Sequence, residues 1–248
     1  MLLLKSLFKK KVTPRTPVDC DMHNHILFGI DDGSKTLEYS IEMIHQMMNL
    51  GFKKLIFTPH VISDYYPNTK ETISVPFLAL KDYVLANNLE MQLEYAAEHL
   101  IDDVFIQDLK SNPDNIISFG NKNVLIETPF INQPIQLEQV IFELINKGFT
   151  PILAHPERYV YLQSDYELAE KIFETGVKFQ INLLSLISHY SPQTTKLAKY
   201  LIENKRYHYV SSDAHKLSHI EQLKEVYSSK LFGKIEVDLL LNNQLVGE

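Results

Sequence analysis

The stretch TPILAHPERY, residues 150–159, is a short apolar run that stops at a histidine. Thr150–Ala154 is long enough for a strand and too short for a helix, and continuous apolarity suits a parallel strand covered by helices on its outer face. Reading outward from it, the same form recurs. Candidate strands fall at Val18–His23, Lys53–Thr58, Met91–Ala97, Asn123–Glu127, Thr150–Ala154, Lys178–Asn182 and Tyr207–Ser211. Segments of helical periodicity lie between them. The first is capped by Ser34 or Thr36, closed at Gly51, and carries Leu37, Ile41, Ile44, Met47 and Met48 as its apolar stripe. Others cover Lys70–Asn87, Leu137–Lys147, Tyr166–Thr175, Thr194–Asn204 and Ile220–Ser228. Strands alternating with helices predict βαβ units around a mostly parallel sheet, and seven of them predict an α/β barrel.

Length and charge narrow the function. A chain of 248 residues with 45% hydrophobic content can bury one full core, so one domain over residues 19–248 is expected, preceded by an extension over 1–18. The formal charge is 24 minus 31, or −7, with no large basic stretch beyond the first fifteen residues, which argues against a nucleic-acid-binding surface. The lone cysteine, Cys20, excludes an intramolecular disulfide and is compatible with a reducing cytoplasm. It lies in the first strand without a phosphate loop, so its role is packing. In MLLLKSLFKKK the apolar run precedes the positive charges, the reverse of a signal peptide, and no segment approaches the ~20 apolar residues of a membrane span. A cytoplasmic protein is expected. Within residues 1–11, Leu2, Leu3, Leu4, Leu7 and Phe8 beside Lys5, Lys9, Lys10 and Lys11 form a weak membrane-surface contact, or more plainly a frayed tail ending at Pro14 to Pro17.

The residues at which the strands finish carry the chemistry. They are His23 and His25, His60, Glu98, Glu127, His155, and Asp213 with His215. Parallel barrel strands converge at their carboxyl ends, where the following loops build the site, so ligands far apart in sequence become neighbours. His23 and His25 are two apart and point one way along an extended segment. Glu127, ending VLIETPF, and Glu98, in LEYAAEHL, are costly to bury without a cation or hydrogen bonds. Each alone would more often be an ordinary strand-end charge. Together they predict more than one ion, because they exceed the three or four donors of a single catalytic zinc. Imidazole and carboxylate donors without thiolate suit Mn, Fe or Zn. His45, His99, His189 and His208 do not share this placement and read as structural residues, while His219, just after the Asp213/His215 pair, stays open.

At this point the sequence resembles the polymerase-and-histidinol-phosphatase (PHP) superfamily, with its HxH, later histidine, paired glutamates, further histidine and terminal DxH. Within it, DMHNHILFGIDDGSKTLEYS, FTPH, ILAHPERY, FQINLLSL and SSDAH resemble the manganese-dependent bacterial protein tyrosine phosphatases associated with capsule and exopolysaccharide production. The resemblance covers about residues 19 to 240. It implies a distorted seven-stranded, TIM-like barrel of PHP type holding three divalent metal ions. By resemblance, His23, His25, Glu98 and Asp213 hold one ion, Glu98, Glu127 and His155 a second, and Asp32, His60 and His215 the third. Arg158 matches a family arginine that contacts phosphate, and Arg158, His60 and Asp32 are the candidate catalytic residues. The family also tends to place an arginine after DxH, where this chain continues KLSHIEQL, leaving Lys216 or His219 as stand-ins. The implied substrate is a phosphotyrosine protein, the tyrosine-rich tail of a bacterial tyrosine kinase.

Three rivals stand beside this reading. A small-molecule phosphatase acting on histidinol phosphate would use the same ligands. A polymerase-associated exonuclease lacks support, because no polymerase region or basic channel accompanies the domain. A catalytically silent, metal-stabilised barrel that binds a phosphoprotein has little use for an intact open metal centre. The loop VISDYYPN supplies Tyr65 and Tyr66 beside the mouth, where their rings would pack against a phosphotyrosyl ring or simply against the loop.

Overall fold

A computed structural model describes residues 15–247 of the chain. The expected membrane contact over 1–11, with most of the expected extension, lies outside the described residues. The strands are β1 (Cys20–Asp21), β2 (Lys54–Phe57), β3 (His60–Val61), β4 (Gln92–Tyr95), β5 (Glu98–Leu100), β6 (Asn123–Glu127), β7 (Thr150–Ala154), β8 (Lys178–Asn182) and β9 (Tyr209–Ser211). The helices are α1 (Leu37–Leu50), α2 (Lys70–Ala86), α3 (Asp103–Ser111), α4 (Leu137–Asn146), α5 (Val160–Gln163), α6 (Tyr166–Glu174), α7 (Pro192–Glu203) and α8 (Leu217–Ser228).

Every ladder is parallel, as the alternation of strands and helices predicts. The ladders form two sheets, β1-β2-β4 and β3-β5-β6-β7-β8-β9, with no closed sheet among the described residues. Two expected strands are each followed by a second short strand. Pro59 has no N–H to give to a ladder, so pairing stops at Phe57 and resumes at His60. The neighbouring chain breaks at Ala96–Ala97, and Glu98 N–H donates to the Pro59 carbonyl at 3.0 Å. Both chains thus step from one sheet to the other at the same level. On the far side, β1 and β9 are joined beyond their ends by a single parallel bridge, Asn24 to Ala214.

Strand alternation divides the core. Cys20 and Met22 near β1, Leu125 on β6, Ile152 and Ala154 on β7, and Tyr209 on β9 pack into one cluster. Val124, Ile126, Leu153, Phe179 and Ile181, at the intervening positions, pack against the helices. Each fully buried aliphatic side chain contributes about 1.5–3 kcal/mol. Cys20 is free and buried, as expected of a packing residue.

The first helix starts and stops where its caps predict. Thr36 accepts from Tyr39 N–H, and Gly51 takes φ 102° and donates to the last turn. Its buried face is Ser40, Met43, Ile44, Met47 and Leu50, while Leu37, Ile41 and Met48 are only half-buried, so the expected stripe is rotated toward the two central methionines. Helix α3 is a feature the periodicity missed. Asp102 caps it by accepting from Phe105 N–H at 2.8 Å, and its inward face holds only Phe105 and Leu109, too short a stripe to stand out. Among the described residues no helix is long and apolar enough to cross a membrane.

Candidate metal centre

The expected ligands meet where β1, β6, β7 and β9 end and where β3 and β5 begin. Glu98 lies at the middle of the cluster and is fully buried. Its Oε2 is 3.3 Å from His23 Nε2, 3.4 Å from His25 Nε2 and 3.0 Å from His60 Nδ1, and its Oε1 is 2.9 Å from His155 Nε2. Glu127 Oε1 lies 3.1 Å from His60 Nδ1. Asp213 Oδ1 lies 3.5 Å from His23 Nε2 and 3.3 Å from His25 Nε2. At the rim, Asp32 Oδ1 is 3.6 Å from His60 Nε2 and 3.4 Å from His215 Nε2, with its side chain 52% exposed where the deeper carboxylates are buried.

Local backbone geometry explains how these side chains converge. Glu127 lies two residues beyond Leu125 and shares its inward face. His155 and Asp213 leave the extended conformation altogether, with φ of 35° and 49°. A non-glycine residue in this region costs about 1–3 kcal/mol and persists where the surroundings fix it. Here the turn swings both side chains toward the cluster. Gly33 is required by close approach, because a Cβ there would stand 2.1 Å from the His25 carbonyl oxygen.

Donor atoms fall within 4.8 Å of one another in four groups: His25, Asp32, His60 and His215; His23, His155 and Asp213; His23, His25 and Glu98; His60, Glu98 and Glu127. The expected nine residues are therefore together. His60 also lies within reach of Glu98 and Glu127, and His155, expected beside those two glutamates, meets Glu98 Oε1 at 2.9 Å while grouping with His23 and Asp213. The site also fits a cation electrostatically. Glu98 Oε2, ringed by imidazoles, has no properly directed hydrogen bond. Burial alone would raise the Glu98 carboxyl, but the facing His23 and His60 hold it well below the usual range. Burial and the nearby Glu98 push Glu127 upward. His60 is pushed up to about 10, Glu98 and Glu127 outweighing the burial that opposes its charge. Burial and the Arg158 guanidinium push His155 down to about 4, which leaves its nitrogen free to ligate near neutral pH.

Sequence reasoning missed the groups that orient these ligands. His25 Nδ1 pairs with Asp31 Oδ2 at 2.8 Å, and that carboxylate also accepts from Gly33 and His60 N–H. The doubled aspartate beside Gly33 was the available signal. His23 Nδ1 bonds Gln180 Oε1 at 2.9 Å, and Asn182 Nδ2 donates to Asp213 Oδ2 at 2.8 Å. Strand β8, the one expected strand with no ligand at its end, thus supplies two inward amides instead. Such contacts fix ring orientation and tautomer. His45, His99, His189 and His208 bond Tyr83, Ile117, Gln222 and Phe179, all outside the cluster. His219 is buried behind His215, whose N–H points to its Nδ1 at 3.4 Å.

Arg158 is not paired with Glu157, whose buried carboxylate accepts instead from Asn182 N–H and Ser185 Oγ. Its Nη1 donates to Asp213 Oδ2 at 2.6 Å, and it lines a cavity of about 580 Å³ with Asp32, His215, Lys216 and His219. Arg158→Lys is expected to lower kcat/KM at least ~10-fold, about 1.4 kcal/mol, with little change in metal content, because charge stays while the planar fork is lost. Unchanged kinetics would remove Arg158 from the site.

Parallel strands delivering imidazole and carboxylate donors to one buried cluster define an α/β protein equipped to hold divalent metal. Comparison supplies the particular family: the model described as "Capsular polysaccharide synthesis, CpsB/CapC" matches residues 19–242, and the chain belongs to that family. It is 29% identical over 237 residues to tyrosine-protein phosphatase YwqE of Bacillus subtilis (strain 168), covering 91% of this chain and 92% of that one. It is 28% identical over 203 residues to tyrosine-protein phosphatase CpsB of Streptococcus agalactiae, covering 79% and 83%. A chain from the crystal structures of YwqE from Bacillus subtilis and CpsB from Streptococcus pneumoniae, described as unique metal-dependent tyrosine phosphatases, superposes with a TM-score of 0.77 at 29% identity. That match covers 90% of this chain and 94% of that one.

Proposed function

We propose that this chain is a metal-dependent tyrosine-protein phosphatase acting in capsule or exopolysaccharide production. The observation that carries the reading is the buried cluster around Glu98, where four imidazoles approach one carboxylate within 3.4 Å. The phosphatase domain is residues 19–248, read as a distorted seven-stranded barrel in which two strands step between sheets. Three divalent ions are proposed, manganese first, with iron or zinc as alternatives. Such ions supply a nucleophile from water near neutral pH and neutralise charge on phosphoryl oxygens.

The chain's own residues do the rest. Asp31 and Gln180 hold His25 and His23 in the tautomer that turns Nε2 inward. Arg158 offers two parallel N–H groups to phosphate oxygens. Asp32 and His60 line the lip, where the half-exposed Asp32 carboxylate faces both His60 and His215. Tyr66 stacks on His60 with ring centroids 5.8 Å apart at 14°, which suits it to flank an entering phenyl ring, whereas Tyr65 is 79% exposed at the rim. The partner is a phosphotyrosine protein, the tail of a bacterial tyrosine kinase, and the location cytoplasmic.

Leaving-group chemistry favours phosphotyrosine. A phenoxide has a conjugate-acid pKa of ~10, so it departs with less protonation or metal assistance than a more basic alkoxide. After manganese reconstitution, phosphotyrosine peptides are expected to show higher kcat/KM than phosphoserine peptides or histidinol phosphate. Faster turnover of histidinol phosphate under matched conditions would make the metabolic phosphatase the better reading. Simple aryl phosphates react with either kind of site and do not discriminate.

A further inference from the structure

Arg158 is held on several sides. Its guanidinium carbon lies 4.9 Å from the ring centroid of Phe130 and 4.3 Å from that of Tyr190. Phe130 and Tyr190 make no ring contact with each other among the described residues, and the guanidinium carbon lies over each ring. Each ring is itself fixed. The Tyr190 hydroxyl accepts from Asn182 Nδ2 at 2.9 Å. Phe130 stacks on His155 with centroids 5.7 Å apart at 13°, and its carbonyl accepts from Val160 N–H at 2.7 Å, two residues beyond Arg158. The guanidinium thus has two rings beside it, one of which stacks on a candidate metal ligand.

This arrangement has a chemical consequence. Aromatic faces attract the cation without using its in-plane donors. Asp213 engages only Nη1, so Nε and Nη2 have no hydrogen-bond partner among the described residues. A free arginine loses rotamer freedom when it binds an anion, and one already fixed in plane loses less.

We propose that Phe130 and Tyr190 are positioning residues that clamp Arg158 between their faces and present its free edge as a preformed fork for the phosphoryl oxygens of the substrate. The proposal rests on the phosphatase reading only through Arg158 as a phosphate ligand. Neither ring touches substrate phosphate. Their contribution is to anion affinity, and it depends on ring faces, so losing the Tyr190 hydroxyl, which only helps to fix its ring, costs far less than losing the ring.

The test uses the full chain loaded with manganese and two readouts: the inhibition constant of inorganic phosphate, and kcat and KM for a phosphotyrosine peptide. Tyr190→Ala and Phe130→Ala are each expected to raise the phosphate constant and KM by about 5- to 30-fold, the range of a partly desolvated cation–π contact. Metal content should stay near wild type in Tyr190→Ala, whose ring makes no ring contact with a candidate metal ligand among the described residues. Tyr190→Phe, which keeps the ring, should remain within about 2-fold on both readouts. Phosphate affinity unchanged in both alanine variants, or Tyr190→Phe as impaired as Tyr190→Ala, would overturn the clamp. Arg158→Ala separates the two levels. If it leaves the phosphate constant unchanged, Arg158 is not the phosphate ligand and the reading beneath the clamp fails; if it raises that constant while the ring variants do not, the clamp alone fails. The inorganic probe makes these outcomes independent of which phosphomonoester is the natural substrate.

Discussion

Glu98→Gln is expected to lower kcat/KM by about 10³-fold, the equivalent of about 4 kcal/mol of transition-state stabilisation. Glu98 is the only carboxylate that appears in two of the four donor groups, and both of its oxygens face imidazole nitrogens. Glutamine keeps the volume and one acceptor oxygen but turns an amide toward His60, His23 and His25 or toward His155. No orientation of the amide satisfies both sides. Metal analysis after gel filtration is expected to show loss of ions in parallel with activity, because the anion that balances the imidazoles at the centre of the cluster is gone. Full metal content with near wild-type turnover would show that the cluster is held together by the outer ligands, and the assignment of Glu98 as the central donor would be withdrawn.

Asp21→Ala is expected to lower stability by about 3 kcal/mol, a fall of roughly 6–12 °C in Tm for a chain of this size. Asp21 is fully buried and accepts from Ser212 N–H at 2.8 Å, Ser212 Oγ at 2.7 Å and Asn24 Nδ2 at 3.1 Å. It ties the start of the chain to its last strand, where ladder pairing is reduced to the single bridge between Asn24 and Ala214. Truncation leaves two Ser212 donors buried without partners and opens a small cavity. Burial pushes the Asp21 carboxyl up to about 6 against the pull of those hydrogen bonds, so part of their gain is already offset and the net figure stays well below their sum. Asp21→Asn should cost about half as much, because one acceptor oxygen survives. A Tm within about 2 °C of wild type for the alanine variant would show that the two ends of the chain are held elsewhere. Calorimetry distinguishes the cases.

The parallel α/β class was legible in the sequence, because apolar strand runs bounded by turn residues and capped helices are local signals read within a few residues of each other. The candidate donors were legible there too. A histidine or carboxylate at the end of an apolar run is costly to bury and stands out against its surroundings, and His23, His60, Glu98, Glu127, His155 and Asp213 all announced themselves in that way. Tertiary structure alone decided what could not be local. Strand splitting at Pro59 and Ala96–Ala97 depends on two chains breaking at one level, and the shape of the first helix's buried face depends on what packs against it. The division of donors into groups depends on the left-handed turns at His155 and Asp213, which swing side chains that an extended reading would send elsewhere. Gln180 and Asn182 were invisible for the same reason, and Asp31 showed only as a doubled aspartate beside Gly33. A strand amide has no local mark of function, and its role arises only when the fold sets it against a histidine or an aspartate dozens of residues away.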